Sequence, residues 1–136
     1  MHLDPEQHQM TAIVLAGDRT KADSLINHSQ AGCKAMIDID GLPMVRRVLN
    51  SLRASRVVNK ICLAGPEESE VATDEPLATW VKDGEVLWSP PESSPSTSAY
   101  RVMQSLDASE AVLLTTADHP LLTPAIVDAF GRQGLA

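Results

Sequence analysis

The sequence predicts an α/β chain: a three-layer α/β/α sandwich on a mostly parallel, doubly wound sheet. Short apolar runs with β-branched residues, at 11–16, 57–64, 85–88 and 111–116, read as strands buried on both faces. Segments with apolar residues at helical spacing separate them, and that alternation implies parallel pairing through right-handed crossovers. The first strand runs into two small residues, Ala16 and Gly17. They let the backbone approach a ligand at a strand's carboxyl end, where open parallel sheets bind their ligands.

Residues 1–10 are a polar lead-in, and 11–136 form the domain. The first strand, Thr11 to Ala16, exits through Gly17 into Asp18 and Arg19, one charge of each sign. From Asp18 to Cys33 the chain is polar and aperiodic, with Lys21, Asp23, Asn27, His28, Ser29 and Gln30. A loop of that length inside a compact domain is expected to be functional or mobile. Lys34 and the apolar run Ala35-Met36-Ile37 follow, then a turn at Asp40-Gly41. Pro43 suits the first position of a helix, where its missing N–H costs nothing. Met44, Val45, Val48, Leu49 and Leu52 form that helix's apolar face, opposite Arg46, Arg47, Asn50 and Arg53.

The second strand, Val57 to Ala64, ends at Gly65-Pro66, and Glu67, Glu68 and Glu70 read as a solvated loop. Asp74 caps a short helix carrying Leu77, Trp80 and Val81 on one face. Asp83-Gly84 turns the chain into a third strand, Glu85 to Trp88. The Ser- and Pro-rich stretch Ser89 to Ser98 is a loop. Ser96 or Ser98 caps the next helix, on which Ala99, Val102, Met103 and Leu106 share a face. The fourth strand, Ala111 to Thr116, leads into Ala117-Asp118-His119-Pro120. Thr123 caps and Pro124 opens a last helix with Ile126, Val127 and Phe130 facing inward.

Composition narrows the function. With 43% hydrophobic residues but only Trp80, Trp88, Tyr100 and Phe130 as aromatics, the core must be aliphatic. A net charge of −7 argues against a nucleic-acid or anionic-membrane binder, both of which need a broad basic surface. It leaves room for one local basic pocket that takes a phosphate. Two cysteines, Cys33 and Cys62, make no disulfide scaffold and fit a reducing cytoplasm. No stretch approaches the roughly 20 apolar residues of a membrane span, and the start is unlike a secretory signal. No G-x-G-x-x-G or phosphate-binding Walker loop follows the first strand. His2, His8, His28 and His119 show no metal-ligand spacing.

Four pieces stand in one order: V-L-A-G at Val14 to Gly17, Lys34 with Met36, G-L-P-M at Gly41 to Met44, and T-A-D-H-P-L-L-T-P at Thr116 to Pro124. Together they resemble the nucleotidyltransferases related to the molybdenum-cofactor guanylyltransferases and cytidylyltransferases. Each piece alone is weak; the ordered set is specific and spans Ala12 to about Phe130. The resemblance implies a GT-A fold, like the nucleotide-diphospho-sugar transferases. It also implies transfer of a nucleoside monophosphate from a nucleoside triphosphate to a small phosphorylated acceptor, with Mg²⁺ as cofactor and pyrophosphate released.

On matching positions, the backbone of Leu15, Ala16 and Gly17 would hold base and sugar-phosphate. Arg19 or Lys21 would supply the loop's basic charge, Lys34 would pair with the triphosphate, and Asp118 would bind Mg²⁺. These residue types suit the chemistry, since phosphoryl-type transfer is mostly positioning and neutralisation of charge on oxygens. Asp18 stands where the family has a second glycine. The resemblance also implies further strands, a second metal-binding acid and the acceptor site beyond Ala136; without those strands the apolar edge of the fourth strand is expected to self-associate, as dimers or aggregates. Two readings compete with an active enzyme: an inactive nucleotide-binding or scaffolding domain of the same fold, and a sugar-transferring enzyme. Ala-Asp-His in place of D-x-D counts against the latter. A turn-forming role for Asp118 and a surface role for Lys34 remain alternatives from the residues alone.

Overall fold

The computed structural model describes residues 9–17, 33–119 and 122–135; the polar loop at 18–32, with Asp18, Arg19 and Lys21, lies outside them. In chain order the elements are β1 (Met10–Leu15), a 3-10 turn (Lys34–Met36), β2 (Asp38–Ile39), β3 (Leu42–Pro43), α1 (Met44–Arg53), β4 (Val58–Ala64), α2 (Glu68–Val71), α3 (Glu75–Lys82), β5 (Leu87–Ser89), α4 (Pro95–Gln104), β6 (Val112–Thr116) and α5 (Pro124–Leu135).

Four strands make one sheet in the order β5-β4-β1-β6, every neighbour parallel. The chain steps outward from β1 to β4 to β5, then returns to the other side of β1 as β6. The direction of winding reverses between β1 and β6, so a crevice opens there at the carboxyl ends of both strands. Alternation along β1 divides the core. Ala12 and Val14 join Val45, Val48, Leu49 and Leu52 of α1, Leu77 of α3 and Val127 of α5. Ile13 joins Cys62, Ala64 and Val102 of α4 on the opposite face. Cys33 belongs to the first of these clusters and Cys62 to the second, so the sheet separates them. Each fully buried leucine or valine of α1 contributes about 1.5–3 kcal/mol relative to exposure, so this aliphatic face anchors the helix without aromatics.

The small two-stranded sheet rests against α1. Asp40 and Gly41 take positive φ (52° and 86°) in the turn between β2 and β3, which Asp and Gly tolerate better than other residues. Arg47 on α1 donates to the carbonyls of Ile39 and Asp40, holding this hairpin against the helix. Arg53 lies 4.1 Å over the Trp80 ring, binding α3 to α1.

Several boundaries differ from expectation, for physical reasons. Pro43 closes β3 and caps α1 instead of opening it; Asp38 and Ile39 capture Leu42 and Pro43 in a strand pair first. The Glu67–Glu70 stretch is a short helix, not a loop, tied down by the buried Val71. Asp74 caps α3 by accepting from the Leu77 N–H at 3.2 Å, as expected. The α4 cap is Ser94, accepting from Thr97 N–H at 3.1 Å, and not Ser96 or Ser98, because Pro95 already occupies the first helical position. The third strand lies later than expected, at Leu87–Ser89. On α5, Val127 is buried but Ile126 and Phe130 face outward, Phe130 at 66% exposure. Gly131 is the inward partner of Val127, one turn along, and brings the helix close to Val57 and Met10.

Candidate functional site

The four parallel strands end along one side of the sheet. Ala117 N–H donates to the Leu15 carbonyl at 2.9 Å, Ala16 N–H to the Ala64 carbonyl at 2.8 Å, and Gly65 N–H to the Ser89 carbonyl at 2.8 Å. These bonds carry the ladder one step past each strand and fix the loops that leave it. Leu15 and Ala16 are therefore tied into the sheet through their backbone, and Gly17 is the first exposed residue beyond it.

The floor beside Gly17 is tightly fitted. A Cβ on Gly17 would lie 3.1 Å from the Pro91 Cβ. One on Gly65 would lie 3.0 Å from the Gly17 backbone nitrogen and 3.2 Å from the Pro91 Cβ. Gly65 also holds φ at +79°, so it is glycine for conformation as well as space. Trp88 Nε1–H donates to the Pro66 carbonyl at 2.9 Å and clamps this exit. Glu92 N–H donates to the buried Ser98 Oγ at 3.0 Å, fastening the loop after Pro91 to α4. Gly65, Pro91 and Ser98 are not among the expected site residues. The sequence does carry a signal for them: Gly-Pro and Pro-Pro directly follow strand ends of a parallel sheet, the side on which its ligands lie.

Two charged side chains, Lys34 and Asp118, come together at the carboxyl end of β6. Lys34 sits on the 3-10 turn, held by the buried Ala35 and Met36 and by Ile37 N–H donating to the Lys34 carbonyl at 3.1 Å. Asp118 lies two residues past β6, on the turn that follows Ala117. Lys34 Nζ is 3.1 Å from Asp118 Oδ2, with the two side chains 34% and 41% exposed. The Thr116 hydroxyl, hydrogen-bonded to Asp118, holds this carboxyl below its ordinary range; burial pushes the other way, and the Lys34 ammonium adds to the lowering. Asp118 is thus ionised throughout the neutral range. Thr116 is a further residue that sequence reading passes over.

Of the expected site residues, Leu15, Ala16, Gly17, Lys34 and Asp118 all come to this end of the sheet, while Arg19 lies outside the described residues. Among the described residues no group of three or more His, Cys, Asp and Glu is gathered in metal-binding fashion. Asp118 as a single hard carboxylate fits Mg²⁺ in the mode where the ion keeps several waters and leans on substrate phosphates.

The sequence matches the MobA-like NTP transferase domain over residues 12–134. The chain belongs to that family. Solved structures agree on the fold. A CMP:2-keto-3-deoxy-manno-octonic acid synthetase complexed with CTP is 16% identical with a TM-score of 0.64; the match covers 92% of this chain and 47% of that one. A 4-diphosphocytidyl-2C-methyl-D-erythritol synthase from Anaerococcus prevotii is 15% identical with a TM-score of 0.66, covering 93% and 52%. A nucleotidyl transferase from Methanothermobacter is 13% identical with a TM-score of 0.64, covering 91% and 57%. The MobA-like chain therefore spans about half the length of these structures. No curated protein matches it.

Proposed function

We propose that this MobA-like domain, residues 11–136, binds a nucleoside triphosphate in the β1/β6 crevice and serves transfer of its nucleoside monophosphate to a small phosphorylated acceptor. The observation that carries this reading is the Lys34–Asp118 pair, 3.1 Å apart, just past the carboxyl end of β6, the strand that pairs with β1. An acceptor phosphate oxygen attacks the α-phosphorus; the new P–O bond forms as the α–β bridging P–O bond breaks, and pyrophosphate leaves. Negative charge on the phosphate oxygens is what the site must offset.

Leu15, Ala16 and Gly17 supply the backbone wall for base and ribose, and the glycine leaves room for close approach. Lys34 places a point charge on the triphosphate, joined by Arg19 from the following loop. Asp118 would hold Mg²⁺, which when bound spreads the charge of the phosphates and orients them. Asp118 is too exposed to strip magnesium of its waters alone, so cation and nucleotide bind together. A cytoplasmic setting, rich in triphosphates and reducing toward thiols, suits these substrates. No helix of the described residues is long and apolar enough to cross a membrane.

The test is thermal stabilisation by ATP, GTP, CTP and UTP, each with and without Mg²⁺, because a ligand that binds only the folded state raises the melting temperature. Stabilisation by at least one triphosphate, enhanced by Mg²⁺ and followed by pyrophosphate release with acceptor, is expected. Asp118→Asn should abolish the Mg²⁺ enhancement while leaving the ligand-free melting temperature nearly unchanged. Nucleotide binding without pyrophosphate release under any acceptor would favour an inactive binding domain. Absence of stabilisation by all four would reject the reading.

A further inference from the structure

Lys34 and Asp118 carry opposite charges and neutralise each other in the structure, with Nζ 3.1 Å from Oδ2. The reaction assigns each of them a different ligand: Lys34 an anionic triphosphate, Asp118 a cation. These demands compete. A triphosphate oxygen that approaches Lys34 must displace the Asp118 carboxylate, and that carboxylate, ionised and beside it, repels the newcomer. A divalent cation on Asp118 removes both obstacles, because it takes over the carboxylate and ends its hold on the ammonium. Neither side chain can simply swing far from the other at its base. Lys34 is fixed by a turn whose next two residues are buried, and Asp118 by Ala117 N–H on the Leu15 carbonyl at 2.9 Å.

We propose that Asp118 is a specificity-determining residue for the metal-complexed form of the triphosphate, acting through its hold on Lys34. The inference rests on the nucleotide-binding reading above. Metal-free triphosphate meets a cation already engaged and a carboxylate that repels it. Metal-complexed triphosphate brings its own cation for the carboxylate. One ion pair thus both excludes the wrong ligand form and admits the right one, a case of specificity built from a repulsive element as well as an attractive one.

The measurement is calorimetric binding of ATP, GTP, CTP, UTP and inorganic tripolyphosphate, each in EDTA and in Mg²⁺, to the wild type, D118N, D118E, K34A and the K34A/D118N double variant. In EDTA, D118N should bind its triphosphate more tightly than wild type, by roughly 1.5-fold to fivefold, the range expected for an ion pair with both partners about a third or more exposed. D118E, which keeps the charge, should stay as weak as wild type in EDTA. The gain should vanish when D118N is placed in the K34A background. A wild type that binds in Mg²⁺ while D118N shows no gain in EDTA would overturn the inference and leave the function standing. An equal gain in both backgrounds would overturn it too, reducing Asp118 to one diffuse negative charge. Failure of every protein to bind any of the five ligands in Mg²⁺ would overturn the function and the inference together.

Discussion

Lys34 and Asp118 are separated by 84 positions in sequence (118 − 34) and by 3.1 Å between Nζ and Oδ2 in the fold. One follows the loop after β1 and the other follows β6, and the parallel pairing of β1 with β6 brings them together. Lys34→Ala is therefore expected to weaken binding of a triphosphate much more than binding of the corresponding nucleoside. Loss of one charge-assisted contact to phosphate costs about 1.5–3 kcal/mol, or roughly tenfold to a hundredfold. Calorimetry with both ligands decides it. Equal loss for the two, or none, would reject the phosphate role for Lys34.

Gly65 makes a second site prediction. Its φ is +79°, and a side-chain Cβ there would lie only 3.0 Å from the Gly17 backbone nitrogen, so the Gly17 segment must give way for one. The neighbour is backbone, which cannot rotate away. Gly65→Ala is expected to push the Gly17 segment out of line and weaken nucleotide binding at least severalfold. It should also cost about 1 kcal/mol of stability or more from the left-handed backbone alone. Denaturant melts and binding titrations on the same sample separate the two effects. Unchanged affinity would show that the Gly17 backbone does not contact the ligand.

Much of the fold is legible in the sequence, and the exceptions have physical causes. Strand cores are readable because β1, β4 and β6 are rich in apolar residues, and Asp74 announces itself as a cap three residues ahead of Leu77. The order of Lys34 and Asp118 along the chain points to the site, while their contact needs the β1–β6 pairing. The orientation of α5 is misread from hydropathy because Ile126 and Phe130 form one stripe and Val127 and Gly131 the next. Hydropathy favours the first stripe. Close packing favours the second, since a glycine lets the helix approach where a phenylalanine would hold it off. Ser98 looks like a helix cap in sequence, but its hydroxyl accepts from Glu92 instead, a contact across a loop that no local pattern encodes. The expected mobility of 18–33 concerns a loop that, apart from Cys33, lies outside the described residues.

Asp128 should contribute to acid sensitivity. Ser55 Oγ–H donates to its Oδ1 at 2.6 Å and Arg56 N–H at 2.9 Å, and these bonds hold its carboxyl below the ordinary range, Ser55 contributing most. A carboxyl depressed in the folded state stabilises the fold above its unfolded value, near pH 4, and that contribution is lost as pH falls through the lower folded value. Asp128→Ala is expected to lower stability at pH 7 by roughly 1 kcal/mol, discounted for solvent exposure. Its deficit relative to wild type should shrink as pH falls below about 4. Urea melts from pH 7 down to pH 3 test both points. A deficit constant across that range would mean that the loss is packing and not charge.

The exposed edge of the sheet sets an expectation for association. β6 pairs only with β1 among the described residues, so its outer side presents open backbone groups, and Leu114 on it is 49% exposed. An apolar strand edge invites another strand. Reversible dimers or higher aggregates are expected from this chain at high concentration. Leu114→Lys should reduce them, since an edge lysine is a common device against strand addition. Light scattering across a concentration series measures it, and a monodisperse monomer at every concentration would sink the idea.

Two glycines on α5 offer an internally controlled test of how that helix packs. An alanine Cβ at Gly131 would fall 2.6 Å from Val57 Cγ2 and 3.3 Å from the Met10 sulfur, whereas one at Gly134 meets nothing within 4 Å. Both substitutions improve helix propensity, by up to about 1 kcal/mol each, less in the last turn. At Gly131 the gain is opposed by overpacking of about 1–3 kcal/mol, because Val57 is buried and β-branched and has little freedom to rotate aside. Gly134→Ala should therefore be neutral or slightly stabilising, and Gly131→Ala destabilising on balance. Shortening the obstructing side chain should relieve the clash, so Gly131→Ala combined with Val57→Ala should lose less than the two single losses added together. Denaturant unfolding of the wild type, the two single variants and the double variant gives the coupling directly. Strict additivity, or a Gly131→Ala variant more stable than wild type, would place α5 farther from Val57 than the structure does.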